Sequence, residues 1–388
     1  MITHTMALGV FARGFTILKM NSKIEAMPFQ NAVQVMVVIF VNLYKYKSIF
    51  YTPGMILRTL KLNDYRASMY LLIFSALAAS FAVLFPSVHH RVFDTDPLGF
   101  AFAGDYAFFN NPGLKAAGVL LLLANVILFD YVLISEELVE KNNHVPAFLL
   151  GLYFSYCLQQ NPLHPQLLAQ LLLTFSYKLF ISTYRTERAA PRIFDGAFCL
   201  SCAVILYPPY WMFFALGFIC LSVLRPFNAR EYSLVIIGLG LPYLFYYTVL
   251  FLCDQSLQKP EEDIFNSFNR PAMPLYYKGS FLINFTSCLV VLFTGIFFLS
   301  KRTASKMKTQ KALVIFLWTL VPCAGAVFIT KSLYAFTGQM AVMPLTLFAG
   351  IYLGSAKRRI LAEILLLLLL GAVIFSLMQY AEVEPIKI

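Results

Sequence analysis

From residue 67 onward the sequence is a succession of long apolar runs separated by short polar or basic stretches. A helix that crosses a bilayer needs about 20 mainly apolar residues, and it satisfies its backbone polar groups internally. The pattern therefore predicts an all-α, polytopic transmembrane bundle of about 11 segments. The predicted segments are 67–86, 116–134, 145–160, 166–184, 193–209, 210–224, 232–253, 280–300, 312–330, 337–354 and 360–379.

The composition agrees with this class of protein and argues against others. The chain has 388 residues, of which 60% are hydrophobic and 13% are charged. Soluble globular proteins average about 45–50% apolar and about 25% charged residues. The apolar segments leave no room for a separate soluble catalytic domain. The net charge of +11 is typical of basic cytoplasmic loops, and basic residues do not alternate with stackable ones outside the apolar runs, so we expect no nucleic-acid partner.

The positions of Lys and Arg predict the orientation of the chain, because cytoplasmic loops of membrane proteins are enriched in these residues. If the residues before the first segment are cytoplasmic, the basic clusters fall on the inner side. The largest clusters are Arg185, Arg188 and Arg192; Lys301, Arg302, Lys306, Lys308 and Lys311; and Lys357, Arg358 and Arg359. We therefore predict an amino terminus inside and a carboxy terminus outside.

Three of the predicted segments, 145–160, 193–209 and 210–224, are shorter than a bilayer is thick. Pro162 follows the first of them, and Pro208 with Pro209 ends the second; proline disfavours helix at the residue before it. These segments either cross the membrane or turn back inside it, and both alternatives leave the orientation of the other segments unchanged.

Residues 1–54 differ from the rest because their longest apolar run, 32–44, is too short to span a bilayer. Met55 begins a short, basic, amphipathic stretch that leads into the first predicted segment. We predict an amino-terminal extension over residues 1–54 and a single membrane domain over 55–388, with Met55 as the candidate physiological start.

Several short motifs resemble an uncharacterised family of polytopic inner-membrane proteins of Bacteroidota. They are the run Arg-Pro-Phe-Asn-Ala-Arg-Glu-Tyr at 225–232, the Gly and Pro residues of 238–243, Asn-His-Val-Pro-Ala at 143–147 and Ile-Phe-Asp-Gly-Ala at 193–197. The resemblance covers about residues 60–260, and residues 1–54 have no counterpart in it. It implies a location in the bacterial envelope and brings no established activity.

The run 225–232 provides the first candidate site. Asn228 and Glu231 have the spacing of a capping box, in which Asn caps the helix amides and Glu reaches back to the cap. Arg225 and Arg230 are either part of a tight cytoplasmic turn at the headgroup level or ligands of a phosphate on a lipid. Candidate residues for binding a phosphate or lipid headgroup are therefore Arg225, Asn228, Arg230 and Glu231.

The second candidate site lies in the first outer loop, where Asp94 and Asp96 follow His89 and His90. Membrane glycosyltransferases that use polyprenyl-phosphate sugars carry a catalytic aspartate at a similar place. A carboxylate there could deprotonate an acceptor hydroxyl. Two carboxylates with two histidines could also bind a divalent cation, and a solvated loop is the remaining interpretation, so we assign no metal or cofactor to these residues.

The remaining chemically active residues have structural interpretations. Asp130, Asp195 and Glu363 lie near the inner ends of segments, where we expect them to pair with nearby arginines. Cys199 and Cys202 form a C-x-x-C pair inside an apolar segment without a second Cys or His pair nearby, so we expect them to pack between helices. The absence of Asp, Glu, Lys and Arg at segment centres argues against a proton-driven pump.

Three functions agree with these features. The first is an envelope enzyme, similar to a glycosyltransferase or polymerase, that acts on lipid-linked precursors. The second is a transporter or flippase for a lipid or small molecule, favoured by aromatic-rich segments and by prolines that interrupt helices. The third is a membrane scaffold. The expected partners are membrane lipids, including a polyprenyl-phosphate-linked substrate.

Overall fold

The computed structural model describes residues 65–84, 112–140, 143–160, 165–254, 306–330 and 341–355, together with Leu366. Every regular element in these ranges is helical, which confirms the all-α prediction for the described part of the chain. The helices are α1 (Tyr65–Leu84), α2 (Pro112–Ser135), α3 (Val145–Gln160), α4 (Pro165–Ile181), α5 (Ala190–Leu206), a 3-10 helix (Pro208–Phe213), α6 (Phe214–Leu224), α7 (Ala229–Leu252), α8 (Met307–Thr330) and α9 (Val342–Ser355).

The starts of these helices follow from the positions of proline. Proline is the first residue of α2, α4 and the 3-10 helix, and the second residue of α3 and α5. Its fixed φ suits the first helical turn, where the missing N–H would have no partner within the helix. Tyr207 is extended between α5 and the 3-10 helix, as expected for a residue before proline.

Two helices organise the described bundle. α3 lies against α1, α2 and α9, and every side chain from Asn143 to Ser155 is buried. α5 packs against α4 and α7, and further contacts join α2 to α4 and α6 to α8. Aromatic side chains fill the core, with Phe129, Phe154, Tyr177 and Tyr210 fully buried.

Small residues allow these helices to approach each other closely. A Cβ atom on Gly238 of α7 would lie 2.8 Å from the carbonyl oxygen of Phe194 and 2.8 Å from Cβ of Ala197, both on α5. Beside this contact the Ser201 hydroxyl of α5 donates to the Leu239 carbonyl of α7 at 2.7 Å. Small residues and hydroxyl groups at helix crossings are typical of packing in lipid, where helix association cannot depend on the exclusion of water.

Two of the helices are long and apolar enough to cross a membrane, Gly113–Ser135 and Ala229–Leu252. Shorter apolar helices cover Ser68–Ser80, Val145–Ser155, Tyr210–Leu224 and Val342–Gly354. Nine of the predicted apolar segments coincide with described helices. Segment 280–300 and residues 1–54 lie outside the described residues, as does segment 360–379 except for Leu366. The count of about 11 membrane segments and the orientation therefore stay predictions.

Gly238 and Gly240 provide a matched test of the close contact between α5 and α7. Both residues lie in α7, but a Cβ atom on Gly240 would meet no atom within 4 Å. We expect Gly238→Ala to destabilise the protein by about 1–3 kcal/mol, because the methyl group forces the helices apart. Gly240→Ala should leave stability unchanged or raise it slightly, since alanine favours helix. Thermal unfolding of the detergent-solubilised protein measures both variants, and equal effects would contradict the close contact.

Candidate functional site

One end of the bundle collects most of the basic residues that the structure describes. At this end α2, α4 and α6 finish, and α5, α7 and α8 begin, as their mutual contacts show. We call it the basic end and define it by eight residues, Arg185, Arg188, Arg192, Arg225, Arg230, Lys306, Lys308 and Lys311. Arg225, Arg230, the predicted inner cluster of Arg185, Arg188 and Arg192, and the described lysines of the next cluster therefore lie at the same end of the bundle.

Arg225 connects three segments at the basic end. Its Nε donates to Oε2 of Glu231 at 2.8 Å, and its Nη1 donates to the carbonyl oxygens of Thr183 and Thr186 at 2.9 and 2.7 Å. Thr183 and Thr186 follow α4, Arg225 follows α6, and Glu231 lies in the first turn of α7. The side chains of Arg225 and Glu231 are only 16% and 12% exposed, so this guanidinium is held inside the protein.

The capping prediction is correct for Asn228 but not for Glu231. The Asn228 side chain accepts a hydrogen bond from the backbone N–H of Arg230 at 3.1 Å and so caps α7. The Glu231 carboxylate pairs with Arg225 instead of returning to the cap. Glu231 thereby neutralises a charge between α6 and the loop after α4, which the spacing of the two residues in the sequence does not reveal.

Arg230 and Phe227 face outward beside this internal ion pair. Both residues are exposed, and Phe227 is 79% exposed although its ring touches Tyr232 at a centroid distance of 5.0 Å. Of the two arginines predicted to bind phosphate, Arg230 is therefore the one whose side chain is accessible. An accessible guanidinium at a capped helix amino terminus is suited to an anion, because the first amides and the helix dipole both favour negative charge.

Aromatic rings accompany the other basic residues of this end. The Arg185 guanidinium lies 5.3 Å from the ring centroid of Tyr184, and the Lys311 ammonium lies 5.2 Å from the same centroid. The Lys178 ammonium lies 4.5 Å from the ring centroid of Tyr131. Cations over aromatic faces are attracted by the ring quadrupole. Tyrosine and basic residues together are also typical of the headgroup level of a membrane.

Acidic residues at the end of α2 hold the start of α8. Lys306 and Lys308 lie 2.7 Å from carboxylate oxygens of Glu137 and Glu136, respectively. The Thr309 hydroxyl donates to the Glu137 carbonyl at 3.0 Å, and Glu137 has a positive φ of 56° that ends α2. The Glu137 pair is largely exposed and stabilises little, whereas Glu136 is buried and depends on its lysine.

Asp130 and His144 form a buried pair that the sequence interpretation did not find. Nδ1 of His144 lies 2.9 and 2.8 Å from the two carboxylate oxygens of Asp130. The expected pairing of Asp130 with an arginine is therefore wrong, because the start of α3 brings a histidine closer. Asp195 is exposed on α5, and Glu363 lies outside the described residues. The only sequence signal for the pair was the position of both residues at the inner ends of neighbouring segments.

A second group of buried polar residues lies between α2, α4 and the 3-10 helix. Nδ2 of Asn125 donates to the Leu167 carbonyl at 2.9 Å, and the Tyr210 hydroxyl donates to Oε1 of Gln170 at 3.0 Å. Oδ1 of Asn125 has no hydrogen-bond partner among the described residues. The sequence signal for this group is the presence of uncharged amides, Asn125, Gln166 and Gln170, inside apolar segments.

The remaining predicted site residues lie elsewhere. Asp94 and Asp96 are outside the described residues, so the outer-loop site stays a prediction. Cys199 and Cys202 are free, half-buried thiols on α5, as expected for packing residues. Within the described ranges no group of three or more His, Cys, Asp and Glu residues is arranged to hold a metal ion.

Comparison with known proteins identifies the family. The sequence model of DUF6427, a family of unknown function, matches residues 105–387. The chain belongs to DUF6427. The expectation of an uncharacterised family is confirmed, although the match starts later than the resemblance at 60–260 and includes the carboxy-terminal third. Asp94 and Asp96 lie outside the matched range, whereas Asp130, His144 and Arg225 lie inside it. Neither the curated proteins nor the solved structures yielded a match to this chain.

Arg225 and Arg230, which both lie within the matched residues, should differ in their effect on stability. Arg225→Lys removes the planar guanidinium that reaches two carbonyl groups and a carboxylate at once, so we expect it to destabilise the protein by about 2 kcal/mol. Arg230→Lys, the matched control, changes an exposed side chain and should leave stability almost unchanged. Thermal unfolding in detergent compares them. Similar melting temperatures for wild type and Arg225→Lys would refute the internal role of Arg225.

Proposed function

We propose that this protein is a multi-pass protein of the bacterial inner membrane that binds phosphate-bearing lipids at its basic end. In this proposal the basic end lies in the cytoplasmic leaflet, and the lipids are envelope precursors linked to a polyprenyl phosphate. The enzyme-like activity predicted from the sequence, transfer or polymerisation of lipid-linked precursors, would use these lipids as substrates.

The surface of α7 is the observation that carries the proposal. This helix is long enough to cross a bilayer, yet only 22% of its most apolar stretch is buried. Large apolar side chains such as Ile236, Leu244, Phe245 and Phe251 are exposed along it. An apolar surface of this size is unstable in water and stable in lipid. Arg230 and Phe227 lie at the basic end of this surface, where a lipid headgroup would meet it.

The chemistry of the exposed arginines supports phosphate as the bound group. Arg188 and Arg230 are exposed at the basic end. Guanidinium groups donate two parallel hydrogen bonds to a phosphate, which gives both affinity and orientation. Arg225 is not part of this proposal, because its Nε and Nη1 are already bonded within the protein.

A transporter or flippase is the second candidate function, and two features favour it. Pro242 and Pro322 lie inside α7 and α8, and transporters use interrupted helices to build binding sites near the membrane midplane. The amide of Asn125 has a buried oxygen without a described partner. A polar group of a transported molecule could donate a hydrogen bond to that oxygen as the molecule passes between α2 and α4.

Reporter fusions test the proposed orientation. Fusions after Met307 and Arg358 should report the cytoplasm, because both positions adjoin basic clusters. Fusions after Glu262 and at the carboxy terminus should report the periplasm. A cytoplasmic signal at Glu262 would show that α7 runs in the opposite direction to the prediction, and the basic end could then no longer be placed in the cytoplasmic leaflet.

Lipid titration followed by native mass spectrometry tests the binding proposal. Each basic residue near an anionic surface contributes about 1 kcal/mol, so Arg188→Ala/Arg230→Ala should weaken binding of phosphatidylglycerol by about tenfold or more. Lys259→Ala/Lys278→Ala is the matched control, because it removes the same charge from the predicted outer side. Phosphatidylcholine, which has no net charge, should bind the variants and wild type equally. Equal binding of phosphatidylglycerol by both double variants would refute the proposal.

A further inference from the structure

The Asp130–His144 pair has the geometry of an acid–base dyad. An ionised carboxylate can only accept hydrogen bonds, so the proton of the neutral His144 ring is on Nδ1. Both carboxylate oxygens of Asp130 accept a hydrogen bond from Nδ1, at 2.9 and 2.8 Å. This arrangement leaves a lone pair on Nε2, and none of the described residues forms a hydrogen bond with that atom. The Nε2 atom can therefore accept a proton.

The dyad is held in place from both sides. His144 immediately precedes α3, and its carbonyl oxygen accepts from the Phe148 N–H at 3.1 Å. The neighbouring Asn143 side chain donates to the Gly350 carbonyl of α9 at 3.1 Å and accepts from the Val145 N–H at 3.3 Å. These bonds fix the backbone that carries the imidazole, and a positioned imidazole lowers the barrier to reaction with a correctly placed group.

The dyad is largely shielded from solvent, and two nearby carboxylates are already paired. The side chains of His144 and Asp130 are 7% and 13% exposed. The carboxylates that follow Asp130 along the chain, Glu136 and Glu137, are each paired with a lysine of α8. Asp130 is thus left to compensate the positive charge that develops on His144 when Nε2 takes up a proton, which is the role of the carboxylate in known acid–base dyads.

We propose that His144 is a catalytic base and Asp130 its positioning residue, acting on a hydroxyl group at the membrane surface. This inference rests on the proposed function and specifies its chemistry. Nε2 takes the proton of an acceptor hydroxyl, and the hydroxyl oxygen forms a bond to the anomeric carbon of a lipid-linked sugar. The bond from that carbon to the lipid phosphate breaks, and the phosphate leaves with the electron pair. The proton on Nε2 then passes to solvent.

The dyad lies at the end of the bundle where α2 finishes and α3 starts. Asp94 and Asp96 follow α1 in the sequence, in the loop that precedes α2, so they are predicted to lie on the opposite side of the membrane. The two candidate sites are therefore alternatives for the same chemistry, and variants can separate them.

His144→Asn separates proton transfer from simple pairing. The amide nitrogen of asparagine takes the place of Nδ1 and still donates to Asp130, whereas Nε2 is lost. We expect chromosomal His144→Asn to accumulate lipid-linked sugars to the same level as a deletion of the gene, with normal protein abundance. Positioned bases contribute about 10²–10⁴-fold to rate, so residual turnover should be negligible. Mass spectrometry of extracted lipids measures the pool, and immunoblotting measures the protein.

Each outcome has a defined meaning. Accumulation in the deletion but not in His144→Asn would refute the dyad and leave lipid binding intact. An unchanged pool in the deletion would refute both the proposed enzymatic function and the dyad. A normal pool in Asp94→Asn/Asp96→Asn agrees with the dyad, whereas accumulation in that variant alone would assign the chemistry to the outer loop. If His144→Asn lowers protein abundance, His144→Gln also removes the base, although its amide nitrogen occupies the place of Nε2 and the bond to Asp130 is lost.

The positioning role of Asp130 is tested separately, by the rate at which His144 of the purified protein reacts with diethylpyrocarbonate at pH 8. In Asp130→Asn the amide can donate to Nδ1, which moves the ring proton to Nε2 and blocks that nitrogen. Peptide mass spectrometry should show carbethoxylation of His144 several-fold slower in Asp130→Asn than in wild type. Equal rates would show that Asp130 does not set the tautomer, and would overturn its positioning role.

Discussion

The arrangement of the basic end depends on the hydrogen bonds of one guanidinium group. Arg225 fixes the loop after α4, the end of α6 and the first turn of α7 through two carbonyl groups and one carboxylate. A charged group that is largely removed from water costs free energy unless its donors are satisfied, and these three acceptors satisfy most of them. The position of α7, whose apolar surface carries the proposed function, therefore depends on an interaction outside the apolar core.

The sequence was sufficient to predict the segmentation, because apolar runs and prolines act locally. The prediction of 145–160 coincides with α3, and Asn228 caps α7 as its residue type suggests. The partners of Arg225 and Asp130 could not be predicted, since they depend on which helix ends meet in space. The spacing of Asn228 and Glu231 favoured a hydrogen bond from the Glu231 carboxylate back to the start of its own helix. The carboxylate pairs with the Arg225 guanidinium instead, because a charge-assisted hydrogen bond is stronger.

The structure also divides the candidate site residues into groups with different roles. Arg225 and Glu231 stabilise the fold, whereas Arg230 is exposed and His144 keeps one ring nitrogen free of described partners. Residue type alone does not distinguish these roles. The match of the family to residues 105–387 includes both the arginine signature and the Asp130–His144 pair.

The contact between α3 and α9 has a consequence for biosynthesis. A Cβ atom on Gly350 would overlap the ring of Pro146, and Asn143 donates to the carbonyl of the same glycine across 207 positions of sequence. A ribosome adds about 5–20 residues each second, so on the order of 10–40 s pass between the synthesis of α3 and that of α9. During that interval one side of α3, the most buried of the described helices, is uncovered, and lipid or an insertion factor must occupy it until α9 has been made.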